Sequence, residues 1–212
     1  RIFDNFAKNQ EIFKFWLFTE TSRFFLMQFN IDFPLYYDSN NYWWGFKEFP
    51  EFLSNWNEFE RLLGSESLKF ALMGRSQFDE TLLHQVSESP FDDLFEPFLD
   101  KMTLMLNRSE ISSLLERRNK GNETAMMFAA SKKSRLNVDL FWNFTQDFLN
   151  ENEQKELLKV ENRHFETALQ FATRNKDPDS FLLMTKIYEG FFTQSEIRKI
   201  LSKVRDDSMP FV

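Results

Sequence analysis

The sequence predicts an all-α protein built as a solenoid of stacked helical hairpins. Glycine and proline are scarce, 5 and 6 of 212 residues, which favours helices over strands joined by tight turns. Apolar residues recur at helical spacing, as at Phe141, Phe144 and Phe148. The third observation is a repeat, because one eight-residue stretch occurs three times at a spacing of 43 residues. A fixed period of this size indicates a stacked-repeat protein.

The repeated stretch begins with Glu-Thr and reads ETLLHQVS at 80–87, ETAMMFAA at 123–130 and ETALQFAT at 166–173. With its threonine as the first residue of a unit, and weaker matches towards both ends, the predicted units span residues 2–32, 33–80, 81–123, 124–166 and 167–208, and a sixth opens at 209. These units form one repeat domain. Because the chain begins with Arg1, we expect it to be a fragment of a longer protein.

Each unit is predicted to open with a short helix. Thr81, Thr124 and Thr167 can accept hydrogen bonds from the free amides of a first turn. Where the threonine is missing, Pro34 and Pro210 fall at the first helical position, which tolerates proline best. The small side chains that follow, Ala129 and Ala172, allow a second helix to approach closely.

Longer and shorter helices are predicted to follow in each unit. The longer ones carry an apolar stripe and span residues 11–28, 43–53, 95–106, 138–149 and 180–192. The shorter ones follow a capping residue and a glutamate: Asn57-Glu58, Ser109-Glu110, Asn152-Glu153 and Ser195-Glu196. The second unit has extra residues between 64 and 79, where we expect an added turn of helix around 67–73.

Composition excludes several kinds of site. The net charge of −7 disfavours a nucleic-acid partner. The lack of cysteine removes disulfides and thiolate metal sites, and it suits a reducing, cytoplasmic location. No apolar run is long enough for membrane insertion, and no glycine-rich loop could hold a phosphate. Neither His84 nor His164 has carboxylates at metal-binding spacing, so we expect no metal and no cofactor.

The opening residues of the units resemble the ankyrin repeat, whose pattern is Thr-Pro-Leu-His, a variable residue and Ala. Thr81-Leu82-Leu83-His84 is the nearest match, and Pro34-Leu35 keeps the Pro-Leu pair. The usual ankyrin unit has about 33 residues, so these units would be lengthened. A three-helix armadillo- or HEAT-like solenoid, with a period of about 40–47, is the alternative fold.

The resemblance implies two sets of functional residues. The structural motif consists of Thr81, His84, Thr124, Ala129, Thr167 and Ala172, in which His84 ties neighbouring loops. Candidate binding residues lie in the loops before each threonine (Lys120, Asn122, Arg163 and His164) and on the first helices four residues after it (Tyr37, Gln85, Phe128 and Phe171). The aromatic positions of the second group fit ordinary packing between helices at least as well.

The function implied by the resemblance is binding of another protein by a non-enzymatic scaffold. A regulatory or structural spacer domain of a larger protein is an alternative. A hydrolase-type enzyme is a third, which would need His84 to act with a neighbouring serine (76, 87 or 89) and an acid.

Overall fold

The computed structural model describes residues 56–75, 78–88, 92–132, 134–174 and 177–203, and the backbone of 35–38 and 41–44. The predicted units at 2–32 and from 209, and the second helix at 11–28, lie outside these residues.

A short antiparallel hairpin precedes the helices. Strands β1 (Leu35–Asp38) and β2 (Asn41–Trp44) pair with Leu35 opposite Trp44 and Asp38 opposite Asn41. The prediction of a helix starting at Pro34 is therefore wrong, and so is the start of the next helix at residue 43, which lies in β2. The rest of that predicted helix, 45–53, lies outside the described residues. The physical reason is local, because Leu-Tyr-Tyr and Tyr-Trp-Trp favour strands and the Asp-Ser-Asn-Asn sequence between them favours a turn.

From residue 56 onward the described chain is helical, which confirms the all-α class for this part. Its α-helices are α1 (Trp56–Leu63), α2 (Ser65–Met73), α3 (Leu82–Glu88), α4 (Phe95–Met105), α5 (Arg108–Leu115), α6 (Ala125–Ser131), α7 (Arg135–Phe148), α8 (Glu151–Lys159), α9 (Ala168–Arg174), α10 (Pro178–Glu189) and α11 (Gln194–Ser202). A turn of 3-10 helix, Asp92–Leu94, leads into α4. The expected extra turn in the second unit is the complete helix α2.

Helices that occupy the same place in successive units pack on one another. The short helix α6 lies between α3 and α9, and the long helix α7 lies between α4 and α10. Each short helix also contacts the long helix that follows it. The described helices thus form a row of short helices alongside a row of long ones.

The core is continuous through the short, long and third helices. Ala125, Ala129 and Ala168 are fully or almost fully buried where the short helices meet. Phe95 and Phe141 stack with ring centroids 6.2 Å apart, which joins α4 to α7. Small side chains permit the close approach of the short helices, and aromatic side chains fill the wider space between the long ones.

The third helices begin two residues earlier than predicted. Asn107, Asn150 and Thr193 are the caps of α5, α8 and α11, and each forms a capping box with the glutamate three residues later. The proposed caps Ser109, Asn152 and Ser195 instead lie within the first turn. The glutamate decides the register, because its carboxylate reaches back to the amide of a residue three positions before it.

Candidate binding edge formed by the connecting loops

Three loops before the short helices share one backbone conformation. Asp79, Asn122 and Phe165 have φ angles of 61°, 62° and 61°. They are spaced 43 residues apart, which is the period of the sequence repeat. Positive φ is uncommon outside glycine, so its recurrence marks equivalent turns. We call the described parts of these loops, residues 78–80, 117–123 and 160–166, the loop edge.

One asparagine side chain holds each of the two complete loops. The Oδ1 atom of Asn119 accepts hydrogen bonds from the amides of Gly121 and Glu123, at 2.8 and 2.9 Å. The Oδ1 atom of Asn162 accepts from His164 and Glu166 at 2.8 and 3.0 Å. In both loops the asparagine Nδ2 donates to the carboxylate of the same glutamate, at 2.9 and 3.1 Å. The two loops are therefore rigid copies of one turn.

Neighbouring loops are joined through their main chains. The Lys120 amide donates to the Phe78 carbonyl at 2.7 Å, and the Arg163 amide donates to the Gly121 carbonyl at 2.9 Å. The Asn122 Nδ2 adds a bond of 2.5 Å to the Glu161 carbonyl. One hydrogen bond between two neighbouring loops contributes little to stability, but because the bond is repeated from loop to loop it fixes their spacing along the edge.

His84 connects a short helix to the next loop. Its Nδ1 accepts from the Thr81 amide at 3.2 Å and lies 2.8 Å from the Thr81 hydroxyl. Its Nε2 lies 3.2 Å from the Glu123 carbonyl, which can only accept. This network assigns the proton to Nε2 and makes the ring neutral. Burial lowers the pKa of His84 to about 4, in keeping with that assignment.

The threonines do not cap their helices as predicted. The amide and hydroxyl of Thr167 both donate to Gln170 Oε1, at 2.9 and 3.3 Å, as those of Thr81 do to His84. In these two units the side chain at the third position after the threonine accepts hydrogen bonds from the threonine. The threonine hydroxyl does not accept one from the amides of the helix. Thr124 makes no side-chain cap, and its buried Oγ1 has no hydrogen-bond partner. Thr124 lacks this bond because the equivalent residue is Met127, whose side chain has no nitrogen or oxygen acceptor like those of His84 and Gln170.

Each loop of the edge ends in a glutamate: Glu80, Glu123 and Glu166. Burial raises the pKa of Glu80 and of Glu88, and the nearby charge of Glu123 acts in the same direction on both. Glu166, the equivalent of Glu80 and Glu123, forms an ion pair with Arg174. The Arg174 guanidinium also lies 5.2 Å from the centre of the Phe171 ring.

The predicted binding residues fall into two groups. Lys120, Arg163 and His164 are exposed on the loop edge, and Asn122 is half-buried there. On the first helices, Gln85 is buried, and Phe128 and Phe171 are half-buried. Phe128 packs against the His84 ring, with centroids 5.6 Å apart. Tyr37 lies in β1, and its side chain is outside the described atoms. The structure thus places the four loop residues together and separates them from the helix residues.

Two features of the edge were not predicted from the sequence: the asparagines that hold the loops, and Phe165. Asn119 and Asn162 each stand four residues before the repeated glutamate, so extending the repeat towards the N-terminus would have found them. Phe165 is the other omission. It is 69% exposed although it is a large apolar residue. The sequence around Phe165 does not indicate that the residue is exposed, because a turn at this position is usually signalled by asparagine or aspartate.

Among the residues that the structure describes, no group of three or more histidine, aspartate or glutamate side chains is placed to hold a metal ion. Both nitrogens of His84 are occupied, and the Ser87 hydroxyl donates to the Leu83 carbonyl at 2.7 Å. The other two serines near His84, at 76 and 89, lie outside the described residues. Across the same part of the chain, no helix has the length and apolar character needed to cross a bilayer.

No protein-family model and no curated protein matches this chain.

Proposed function

We propose that the chain is a divergent ankyrin-like repeat domain that binds another protein through its loop edge. The observation that carries the proposal is the recurrence of one rigid turn every 43 residues, with each turn bonded to the next. Loops on a rigid scaffold are disproportionately used for binding. Because the turns are fixed by Asn119 and Asn162, a partner would meet a preformed surface and little conformational entropy would be lost.

The two rows of helices support the stacked-repeat part of this proposal. The short helices α3, α6 and α9 each lie directly after a loop and pack on one another, so the loops follow one another in the same order as the helices. A stack of this kind is stabilised mainly by contacts between neighbouring units. A cytoplasmic location and a non-enzymatic role belong to the same proposal.

Affinity capture with charge reversals on two surfaces tests the proposal. The bait pair is the wild-type chain and the double variant Lys120→Glu/Arg163→Glu, and the control with the same charge change is Lys186→Glu/Arg198→Glu, at exposed positions of α10 and α11. A protein that wild type and control retain but the double variant loses, and that binds directly when purified, would support the loop edge. Equal retention by all three baits, or direct binding by none, would contradict it. Circular dichroism of each bait verifies that helical content is unchanged.

A further inference from the structure

Phe165 stands in a conformation that its residue type disfavours. Its φ is 61°, a left-handed value that strains a bulky residue because Cβ approaches the carbonyl oxygen. The equivalent residues are Asp79 and Asn122, of the two types that tolerate this conformation best after glycine. Folding alone would therefore favour asparagine or aspartate at position 165.

The surrounding loop enforces this conformation. The Phe165 amide donates to the Asn162 carbonyl at 3.0 Å, and Asn162 is itself buried and fully engaged in the turn. The ring gains no compensation from burial, since 69% of the residue is exposed. The other exposed large apolar residues, Leu104, Leu136 and Leu182, lie in ordinary helices. Backbone strain that the surroundings maintain is concentrated at ligand-contacting positions.

Two exposed cationic residues stand near Phe165 along the backbone. Arg163 is two residues away, and its backbone bond to Gly121 brings it beside Lys120 in the preceding loop. Both are exposed, and within the described residues neither side chain has a hydrogen-bond or ion-pair partner. Two acidic residues of the edge are occupied by other cations, since Asp79 pairs with Arg75 at 3.9 Å and Glu161 pairs with Lys203.

We propose that Phe165, Lys120 and Arg163 form a docking point for an acidic protein segment. An apolar side chain of that segment packs on the Phe165 ring, while flanking carboxylates pair with Lys120 and Arg163. Aromatic residues, phenylalanine included, and arginine are enriched at protein interfaces. The inference rests on the proposed function and specifies the chemistry of the partner.

Charge favours a short acidic segment over a larger polyanion. The chain carries a net charge of −7, and part of its negative charge lies on the exposed side of the long helices, at Glu96, Asp100 and Asp139. A nucleic acid or an anionic membrane presents dense negative charge over a wide area and is repelled by this background. A segment with a few carboxylates can pair with Lys120 and Arg163 while it presents far less negative charge to this background.

The test uses two pools of fluorescent synthetic heptapeptides and the full chain. Each peptide has a central Leu, Phe or Trp, flanked by Asp and Glu in one pool and by Lys in the other. We expect saturable binding of the acidic pool only, weakened by rising salt. Phe165→Asn and Arg163→Glu should each weaken it by about tenfold or more, as expected for central interface residues. Leu182→Asn, which changes an equally apolar residue 55% exposed on α10, should leave it unchanged.

Phe165→Asn also separates binding from folding. Because asparagine accepts positive φ, this variant should melt at a higher temperature than wild type while it loses the peptides. A lower melting temperature would show that the ring is needed for packing and would overturn the inference. Equal binding of both pools, or acidic-pool binding that survives Phe165→Asn, would overturn it too.

Other classes of partner are tested with poly(U) RNA and phosphatidylserine vesicles. If either binds more tightly than the acidic peptides, and this binding depends on Phe165, the proposal of an acidic protein segment is wrong. If both pools fail while the charge-dependent capture of a protein succeeds, only the partner chemistry is wrong.

Discussion

Replacing His84 by glutamine should change how stability depends on pH much more than it changes stability at neutral pH. Gln170 occupies the equivalent place, where its Oε1 accepts from Thr167 and its Nε2 donates to the Lys203 carbonyl at 3.0 Å. Glutamine at 84 can make the same two kinds of bond, to Thr81 and to the Glu123 carbonyl. We therefore expect a loss of stability of about 1 kcal/mol or less near pH 7.5.

The pH effect follows from the depressed pKa of His84. Its pKa falls from 6.5 to about 4 on folding because burial disfavours the imidazolium. Between these values the unfolded chain binds more protons than the folded chain, so stability falls as pH falls from 6.5 towards 4. Linkage gives a loss of about 2 kcal/mol between pH 7.5 and 5 from this residue alone. The glutamine variant has no such group and should lack that loss.

Urea unfolding followed by circular dichroism at pH 7.5 and 5 measures both effects. The raised pKa values of Glu80 and Glu88 act in the opposite direction, but wild type and variant share them, so the difference between the two proteins isolates His84. The reasoning fails if the free energies of wild type and His84→Gln change in parallel between the two pH values. His84→Ala provides a reference, because it leaves the buried Thr81 amide without an acceptor and should cost about 1–3 kcal/mol; the Glu123 carbonyl keeps its bond from the Asn119 amide.

Three further substitutions test other contacts. Ala129→Leu should destabilise the protein by about 1–3 kcal/mol, because Ala129 is fully buried where the short helices meet; an unchanged unfolding midpoint would disprove that close contact. Tyr188→Phe should cost about 1–3 kcal/mol in urea unfolding, since the buried hydroxyl donates to the Leu158 carbonyl at 2.7 Å; a neutral result would mean that this carbonyl finds another donor. Thr193→Ala removes the capping box of α11 and should cost about 1 kcal/mol, whereas the neighbouring Gln194→Ala should be nearly neutral; equal effects would refute the cap assignment.

The repeat period was sufficient to predict the helices of the regular units. Thr81, Thr124 and Thr167 each directly precede a short helix, and the predicted long helices differ from α4, α7 and α10 by a few residues at their ends. Periodicity succeeds here because every unit supplies independent copies of the same apolar pattern. The ankyrin resemblance and the binding role of the loop residues stay predictions.

The errors arose where a single residue decided between two local structures. Pro34 was interpreted as the first residue of a helix, but the aromatic strand formers after it favour the hairpin. Each third helix has two possible capping residues near its start. Only their sequence distance to the glutamate distinguishes them, because the true cap lies three residues before Glu110, Glu153 or Glu196.

The candidate site was only partly predictable. Exposure of Lys120 and Arg163 follows from their place in polar loops, but the bonds between loops depend on main-chain positions that side-chain patterns do not encode. Phe165 was missed for a related reason, because its exposure results from a turn conformation that its own residue type disfavours.

Amide hydrogen exchange at Lys120 and Arg163 tests the central claim, that equivalent loops are joined through their main chains, most directly. Both residues are exposed, so an isolated solvated loop would exchange these amides at the rate of an unstructured peptide. The bonds to the Phe78 and Gly121 carbonyls predict marked protection of both amides under native conditions. Exchange of both at the unstructured-peptide rate would contradict the account.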